Sequence, residues 1–116
     1  MNTRGEKIRK ALVKEISDVI QHGLKDPRIS GIISVTDVEL SPDYHYAKVF
    51  ISIYGDDDKK KTVMEALEDA AFAIRKEVGK QIRMRYVPEF TFILDKSLEK
   101  GKKITDLLDK ISRGEV

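Results

Sequence analysis

YHYAKVFISIY, residues 44–54, alternates between two kinds of side chain with the period of a β-strand. One set is small or aliphatic and is assigned to the core face: Ala47, Val49, Ile51 and Ile53. The other set is aromatic or polar and is assigned to the opposite face: Tyr44, Tyr46, Lys48, Phe50, Ser52 and Tyr54. The pattern predicts a strand that is buried on one side only.

One further strand is predicted before this one in the sequence and one after it. Residues 32–40 (IISVTDVEL) are rich in β-branched side chains, and residues 41–43 (SPD) have the composition of a turn. Such a short connection favours an antiparallel hairpin with the strand at 44–54. Pro88 ends the preceding helical pattern, and residues 89–94 (EFTFIL) then predict a third strand.

Helical periodicity fills most of the remaining sequence. Residues 3–22 carry apolar side chains at helical spacing, and residues 59–82 do so without an obvious break. We expect Asp58 to cap the second of these segments. A single helix of about 25 residues is long for a small domain, so we expect a bend in the small-residue stretch 70–73. A last helix is predicted from its cap at Ser97 onward.

The predicted element order is therefore α-β-β-α-kink-α-β-α. A three-stranded sheet must cover its apolar face, and helices packed on that one face give an α+β domain with two layers. The length of 116 residues suits a single domain, and 41% hydrophobic with 36% charged residues suits one core under a charged surface. We find no membrane-spanning run, no signal-peptide pattern and no cysteine, which together predict a cytosolic protein.

The net charge is only +2, but the basic residues are clustered. In the first helix, residues 1–14 carry a group opposed by Glu6 alone: Arg4, Lys7, Arg9, Lys10 and Lys14. The segment 75–85 carries a second group opposed by Glu77 alone: Arg75, Lys76, Lys80, Arg83 and Arg85. Such clusters neutralise phosphates in nucleic-acid complexes, although either one alone is more typical of a solvated helix face. They form one basic surface if the two helices lie side by side.

Other chemistry has weaker support. The aromatic face of residues 44–54 could stack bases, but the signature of RNA-recognition sheets is absent, and we expect a helix or the C-terminal segment to cover some of the rings. His22 and His45 each lack a partner at metal-binding or catalytic spacing. The acidic run 56–58 is better explained as a turn with a helix cap than as a magnesium site, because no phosphate-binding loop accompanies it. We therefore expect no enzyme, no metal site and no cofactor.

Two long stretches resemble ribosome-binding factor A, a family of bacterial assembly factors of the small ribosomal subunit. These are DPRISGIISVTDVELSPDYHYAKVFIS, residues 26–52, and IRKEVGKQIRMRYVPEFTFILDKSLEKGKKITDLL, residues 74–108. The resemblance implies a type II KH-like fold, in agreement with the element order above. It also implies binding to the immature 30S subunit and its 16S rRNA, late maturation and precursor processing, a role in cold adaptation, and no catalysis.

The resemblance also implies a kink between two helices in place of the G-x-x-G loop with which KH domains clamp RNA. The aligned positions are Ala70, Ala71 and Phe72, so phenylalanine stands where the family has glycine. Phenylalanine lacks the backbone freedom of glycine. How sharply the chain bends there is thus a question for the structure.

These inferences combine into one interpretation. Residues 1–116 form a single KH-like RNA-binding domain that is monomeric, does not bind membranes, and leaves the order of its last few residues open. The main predicted phosphate contacts are Arg75, Lys76, Lys80, Arg83 and Arg85, followed by Lys7, Arg9, Lys10 and Lys14. The alternative is a protein–protein interaction module that does not bind RNA.

Overall fold

Three helices and three strands follow one another in residues 3–96, the part of the chain that the computed structural model describes. They are α1 (Thr3–Asp18), β1 (Ile33–Leu40), β2 (Tyr46–Ile53), α2 (Asp57–Asp69), α3 (Ala71–Gln81) and β3 (Glu89–Leu94). This order matches the predicted type II KH-like arrangement through β3. The predicted last helix lies outside the described residues, as do residues 113–116.

The sheet has the order β1-β2-β3, so β2 is its central strand. β1 and β2 pair antiparallel, with Val38 opposite Val49, which confirms the predicted hairpin. β2 and β3 pair parallel, with Val49 opposite Phe92. Parallel neighbours need a crossover connection, and α2 and α3 provide it. The starts of β2 and β3 therefore lie at the same end of the sheet.

β2 begins at Tyr46, two residues later than the alternation predicts. Tyr44 has a left-handed backbone with φ of 62°, and its N–H donates to the Ser41 carbonyl at 3.0 Å. The Ser41 hydroxyl also donates to Asp43 Oδ1 at 2.7 Å. These bonds keep residues 41–45 in the turn, so the alternating side chains of 44 and 45 do not belong to the strand.

The core lies between the sheet and the helices. The predicted core face of β2 is confirmed, since Val49 and Ile51 have no exposed surface and Ala47 and Ile53 are buried. Each helix contributes two or more buried side chains to the same cluster: Leu12 and Ile16 from α1, Val63 and Leu67 from α2, and Ile74 and Val78 from α3. Full burial of one such side chain stabilises the fold by about 1.5–3 kcal/mol. The helices thus cover one face of the sheet, as the predicted α+β class requires.

α1 ends differently from the prediction of one helix over 3–22. The α-helix stops at Asp18, and the chain continues as a π-helical turn over Val19–Gly23. Val19 and Ile20 are both buried there, so the wider turn keeps two neighbouring side chains in the core. Within residues 3–96, no helix has the length and apolar character needed to cross a membrane.

The cap of α2 is Asp56, so the prediction of Asp58 was wrong. Gly55 has φ of 145°, and after this turn Asp56 takes an extended backbone immediately before the helix. Its Oδ1 accepts the Lys59 N–H at 2.8 Å, which satisfies one of the free donors of the first turn. Asp57 and Asp58 lie inside that first turn, where carboxylates suit the positive end of the helix.

The predicted bend falls at Ala70, which separates α2 from α3. Its φ of −90° and ψ of 0° lie in a region that residues other than glycine can adopt. Ala70 donates its N–H to the Ala66 carbonyl at 3.0 Å, and its own carbonyl accepts the Ile74 N–H at 2.9 Å. The chain therefore changes helix at one residue without a glycine. Phe72 follows with 77% of its surface exposed.

Candidate nucleic-acid interface

A groove of about 660 Å³ opens at the end of the sheet where β2 and β3 begin. Its walls come from the first half of α1, the turn between β1 and β2, and the loop that follows α3. We call it the basic groove. Arg4 and Lys7 line it from α1, and Arg83 and Arg85 line it from the loop. The two basic clusters of the sequence therefore meet here.

The charge of the basic groove is strongly positive. Its four cationic side chains are exposed, and Asp43 is the one carboxylate among the described residues that line it. Asp43 Oδ1 accepts the His45 N–H at 3.0 Å and the Ser41 hydroxyl at 2.7 Å. These hydrogen bonds, the backbone one first, hold the pKa of the Asp43 carboxyl below its usual value. Asp43 thus organises the turn, while the cations face solvent.

Two rings stand against each other in the wall of the basic groove. His45 and Tyr86 are stacked, with ring centroids 4.7 Å apart and an interplanar angle of 29°. The Glu89 N–H donates to the His45 carbonyl at 2.9 Å, which joins the turn before β2 to the start of β3. The parallel pairing of these strands therefore brings the two rings together.

Arg75 supports the loop that carries Arg83 and Arg85. Its Nε and Nη2 donate to the Val87 carbonyl oxygen at 3.0 Å and 2.8 Å. Its Cζ also lies 5.1 Å from the centre of the Tyr86 ring, in cation–π range. Arg75 is half-buried, and it does not line the basic groove. Arg75 therefore anchors the loop, and its contact with phosphate stays a prediction.

One part of the lining of the basic groove is apolar and less exposed than the cations, and we call it the floor. Ile8 and Ala11 of α1, with Ile82 and Met84 of the loop, line it and are half-buried. Phosphate binding alone does not require such a surface. The combination of rings, apolar floor and cations can accommodate a molecule that has both a flat apolar part and a negative charge.

Three other predicted cations are exposed but do not line the basic groove. Lys10 and Lys14 are exposed on α1, three and seven residues after Lys7, so helical spacing places them on its side. Lys76 is exposed on α3. These lysines extend the positive surface along the two helices.

Arg9 and Lys80 are engaged with carboxylates. Arg9 Nη2 lies 3.1 Å from Glu6 Oε2, and its Nη1 lies 2.8 Å from Asp37 Oδ1, on the side of α1 that faces β1. These contacts, with Glu6 first, raise the pKa of Arg9. Lys80 Nζ lies 2.9 Å from Glu77 Oε1. The carboxylates partly neutralise both cations and so weaken their attraction for phosphate.

The kink residues Ala70, Ala71 and Phe72 lie apart from the basic groove. They lie where α3 begins, whereas the loop of the basic groove follows the end of α3. α3 has 11 residues and is about 16 Å long. The bend and the basic groove are therefore separate surfaces. No cluster of three metal-binding side chains occurs in residues 3–96.

Sequence reasoning missed His45 and Tyr86 as neighbours. His45 falls inside the predicted strand 44–54 but precedes the observed β2, and Tyr86 lies three residues before β3, with two helices between them in the chain. Both residues precede a strand, which was the available signal. It predicts that they are neighbours only if β2 and β3 are known to be parallel, because the starts of parallel strands lie at the same end of the sheet. Arg4 was placed in a basic cluster, yet it was not selected as an RNA contact.

Comparison with known proteins gives the same family throughout. The family model described as ribosome-binding factor A matches residues 4–108. A curated ribosome-binding factor A from Caldanaerobacter subterraneus subsp. tengcongensis is 44% identical over 115 residues, which cover 99% of this chain and 94% of that protein. The chain thus aligns with nearly all of this relative.

Solved structures agree on the fold. The crystal structure of ribosome-binding factor A from Thermus thermophilus superposes with a TM-score of 0.70 at 23% identity, covering 79% of this chain and 96% of that one. A homology model of the Thermus thermophilus factor, fitted into a cryo-electron microscopy map of its complex with the 30S subunit, gives a TM-score of 0.63 at 24% identity. It covers 76% of this chain and 91% of that one.

Proposed function

The chain belongs to the ribosome-binding factor A family, and from that premise we propose that it binds the immature 30S subunit through 16S rRNA. The observation that carries this proposal is the basic groove, in which Arg4 and Lys7 face Arg83 and Arg85. Cations from distant parts of the chain meet on one surface, as binding to a polyanion requires. The Thermus thermophilus factor, of the same fold, is described in complex with the 30S subunit.

The contacts that we propose are mainly with phosphate. The exposed cations of the basic groove bind first, and Lys10, Lys14 and Lys76 extend the contact along the helices. Arg9 and Lys80 contribute less, because carboxylates partly neutralise them, and Arg75 acts through the loop that it holds. Phosphate contacts set position and orientation but carry little sequence information. Recognition then depends on the shape of the RNA and on the salt concentration.

We propose that the protein assists maturation without catalysis. Residues 1–116 act as one monomeric cytoplasmic domain that needs no cofactor. If the domain binds one RNA conformation more tightly than another, it shifts the population toward that conformation. It leaves when the mature RNA binds it poorly, and processing of the precursor ends then proceeds. Because barrier crossing slows on cooling, such a factor matters most at low temperature.

Co-sedimentation with purified immature 30S subunits tests the proposal. The double variant Arg83→Glu/Arg85→Glu should lose most of its binding, because both changed side chains are exposed cations of the basic groove. Lys61→Glu is the matched control, since it reverses an exposed charge on α2 away from the basic groove. Equal binding by the double variant and the control would reject this surface.

The alternative function, a protein-interaction module, predicts a different result. Within residues 3–96, Tyr46 and Tyr54 are exposed on the sheet face that α1, α2 and α3 do not cover, and they offer a surface for a protein partner. A pull-down from cell extract after nuclease treatment separates the two functions. Ribosomal proteins that disappear with the RNA support the RNA-binding proposal, whereas a partner retained at full yield supports the alternative.

A further inference from the structure

We propose that the basic groove holds one unpaired nucleotide of the bound RNA, with its base against the apolar floor and its phosphate among the cations. The inference depends on the proposed RNA binding and specifies which form of RNA this groove takes. Arg4, Lys7, Arg83 and Arg85 supply the positive charge, while exposed His45, which stacks on Tyr86 through one face of its ring, leaves its other face for a base. Neither half alone accounts for the composition of the site.

The size of the basic groove suits a single nucleotide. Its volume of about 660 Å³ lies within the roughly 300–1,000 Å³ typical of sites for small organic ligands. The bases of a double helix are paired and stacked inside it, so they cannot reach the floor of such a groove. An unpaired base in a loop, bulge or end can turn out of its stack and enter.

The side of the site that would hold the base is formed before RNA arrives. The His45 backbone is fixed from both sides, because its N–H donates to Asp43 and its carbonyl accepts from Glu89. Tyr86 is fixed by its stack with His45 and by Arg75. Ring surfaces that are already ordered bind at a lower entropic cost than mobile ones. Half-buried Ile8 and Met84 complete the apolar surface that a base would cover.

The charge and the rings together favour RNA over an acidic peptide. Carboxylates of a peptide would satisfy the four cations but would leave the second face of His45 and the apolar floor without a matching group. A nucleotide provides a phosphate for the cations and a flat base for the rings in one residue. Guanidinium groups also stack on bases, so Arg83 and Arg85 fit both parts of such a ligand.

This site differs from the position at which KH domains clamp RNA. That clamp is a loop between two helices, and its place in this chain is the bend at Ala70. The basic groove lies beyond the other end of α3, about 16 Å from the bend. A nucleotide in the groove would therefore add a second point of attachment and fix the direction in which the RNA crosses the domain.

A titration of the full-length 15N-labelled protein with single-stranded hexauridylate tests the site directly. We expect the amide signals of residues 43–45 and 82–86 to shift more than those of the bend, and a duplex RNA of equal length to shift them less. The proposal is overturned if hexauridylate shifts no signal in these segments, or if the duplex has the same effect. It is also overturned if hexaglutamate binds there as tightly as the RNA, because the groove would then select only negative charge.

A pair of matched histidine variants measures the contribution of stacking. His45→Ala should weaken hexauridylate binding roughly five- to 150-fold, the range found for loss of one base–aromatic stack. His22→Ala is the control, since His22 is exposed at the end of the π-helical turn, outside the basic groove. Equal affinities of the two variants would overturn the proposed stacking.

Co-sedimentation with 30S subunits separates this inference from the proposed function. The wild-type protein should bind subunits and protect at least one unpaired nucleotide from chemical modification, and His45→Ala should lose that protection. If the wild-type protein and His45→Ala both bind subunits and protect the same nucleotides, the groove inference fails and the proposed function stands. If the wild-type protein does not bind subunits, the proposed function itself fails.

Discussion

Arg75 and Val87 are joined by two hydrogen bonds to one oxygen, from Nε at 3.0 Å and from Nη2 at 2.8 Å. This fork fixes the loop between α3 and β3 against the helix. A carbonyl that accepts two bonds from a cation is stabilised more strongly than one in an ordinary amide pair. The position of Arg83 and Arg85 in the basic groove therefore depends on a neighbour that does not itself line the groove.

We expect Arg75→Ala to lower the free energy of unfolding by about 1.5–3 kcal/mol, the cost of losing a hydrogen bond to a charged group. Urea denaturation measures this change. Binding to 30S subunits should weaken as well, since the loop loses its anchor. Lys76→Ala changes the next residue, which is exposed, and should leave the stability unchanged. Equal stability of the Arg75 and Lys76 variants would contradict the proposal that Arg75 anchors the loop.

Gly55→Ala should destabilise the domain by about 1–3 kcal/mol, the cost of holding a residue other than glycine in a rare backbone conformation. The φ of Gly55 is 145°, and an added Cβ would lie 2.8 Å from Lys59 Cγ. Thermal unfolding provides the measurement. Gly23→Ala is the control, because its Cβ would meet Val19 Cγ1 at an ordinary 3.4 Å. Equal melting temperatures of the Gly55 and Gly23 variants would contradict the predicted strain at Gly55.

Asp56→Ala should cost about 0.5–2 kcal/mol through loss of the N-cap of α2. The bond that disappears is the one from the Lys59 N–H to Asp56 Oδ1, at 2.8 Å. Asp58→Ala removes an exposed carboxylate from the same turn without removing this bond. In urea denaturation, we expect the Asp56 variant to unfold first. If the Asp58 variant unfolds at the lower urea concentration instead, Asp58 is the residue that caps α2.

Lys7 and Arg9 should differ in their effect on salt dependence, although both belong to the same cluster of the sequence. Lys7→Gln should reduce the slope of log affinity against log salt by about 0.7–0.9, because one phosphate contact is lost. Arg9→Gln should change it little, since Arg9 is held by Glu6 and Asp37. Binding of each variant to 30S subunits at several salt concentrations measures the two slopes. A larger loss of slope for Arg9 would show that it leaves its carboxylates for RNA.

The pairing of Asp26 with Arg28 predicts how stability depends on pH. Hydrogen bonds from the Arg28 guanidinium, followed by its backbone N–H, hold the pKa of the Asp26 carboxyl below its usual value. A group whose pKa is lower in the folded state stabilises the fold above its unfolded pKa, which is about 3.9 for aspartate. That contribution is lost as the pH falls through the lower folded value. Arg28 also contacts Asp69 at 3.1 Å, so the pair connects this loop to the end of α2.

Asp26→Asn should therefore be less stable than the wild-type protein at pH 7, and the difference should shrink below about pH 4. Denaturation midpoints measured across this range test it. Glu65→Gln, which neutralises an exposed carboxylate on α2, serves as the comparison. A constant difference between Asp26→Asn and the wild-type protein from pH 7 to pH 3 would contradict the role of this ion pair.

Local patterns in the sequence predicted most of the elements. Alternation identified the buried face of β2, and β3 was predicted at its observed bounds, Glu89–Leu94. Periodicity reports which side of an element is buried, but it does not report which strand edges pair. The parallel pairing of β2 with β3 was therefore absent from the prediction, and with it the stack of His45 on Tyr86.

The candidate site was predicted only in part for a related reason. Counting charges identified Lys7, Arg83 and Arg85, which do line one groove. The same counting could not separate them from Arg9 of α1, which forms an ion pair with Asp37 at the β-bulge of β1. Nor could it show that Arg75 supports a loop. These distinctions depend on contacts between residues that are far apart in the chain.

The parallel pairing of β2 with β3 has a consequence for the order of events during synthesis and folding. The β1–β2 hairpin joins neighbouring segments, whereas β3 reaches its place only after α2 and α3 have crossed the sheet. Contacts between distant segments form slowly. Until β3 docks, His45 has no Tyr86 beside it, so a nascent or half-folded chain has no complete site. If the basic groove binds RNA as proposed, this affinity is complete only once the chain has folded.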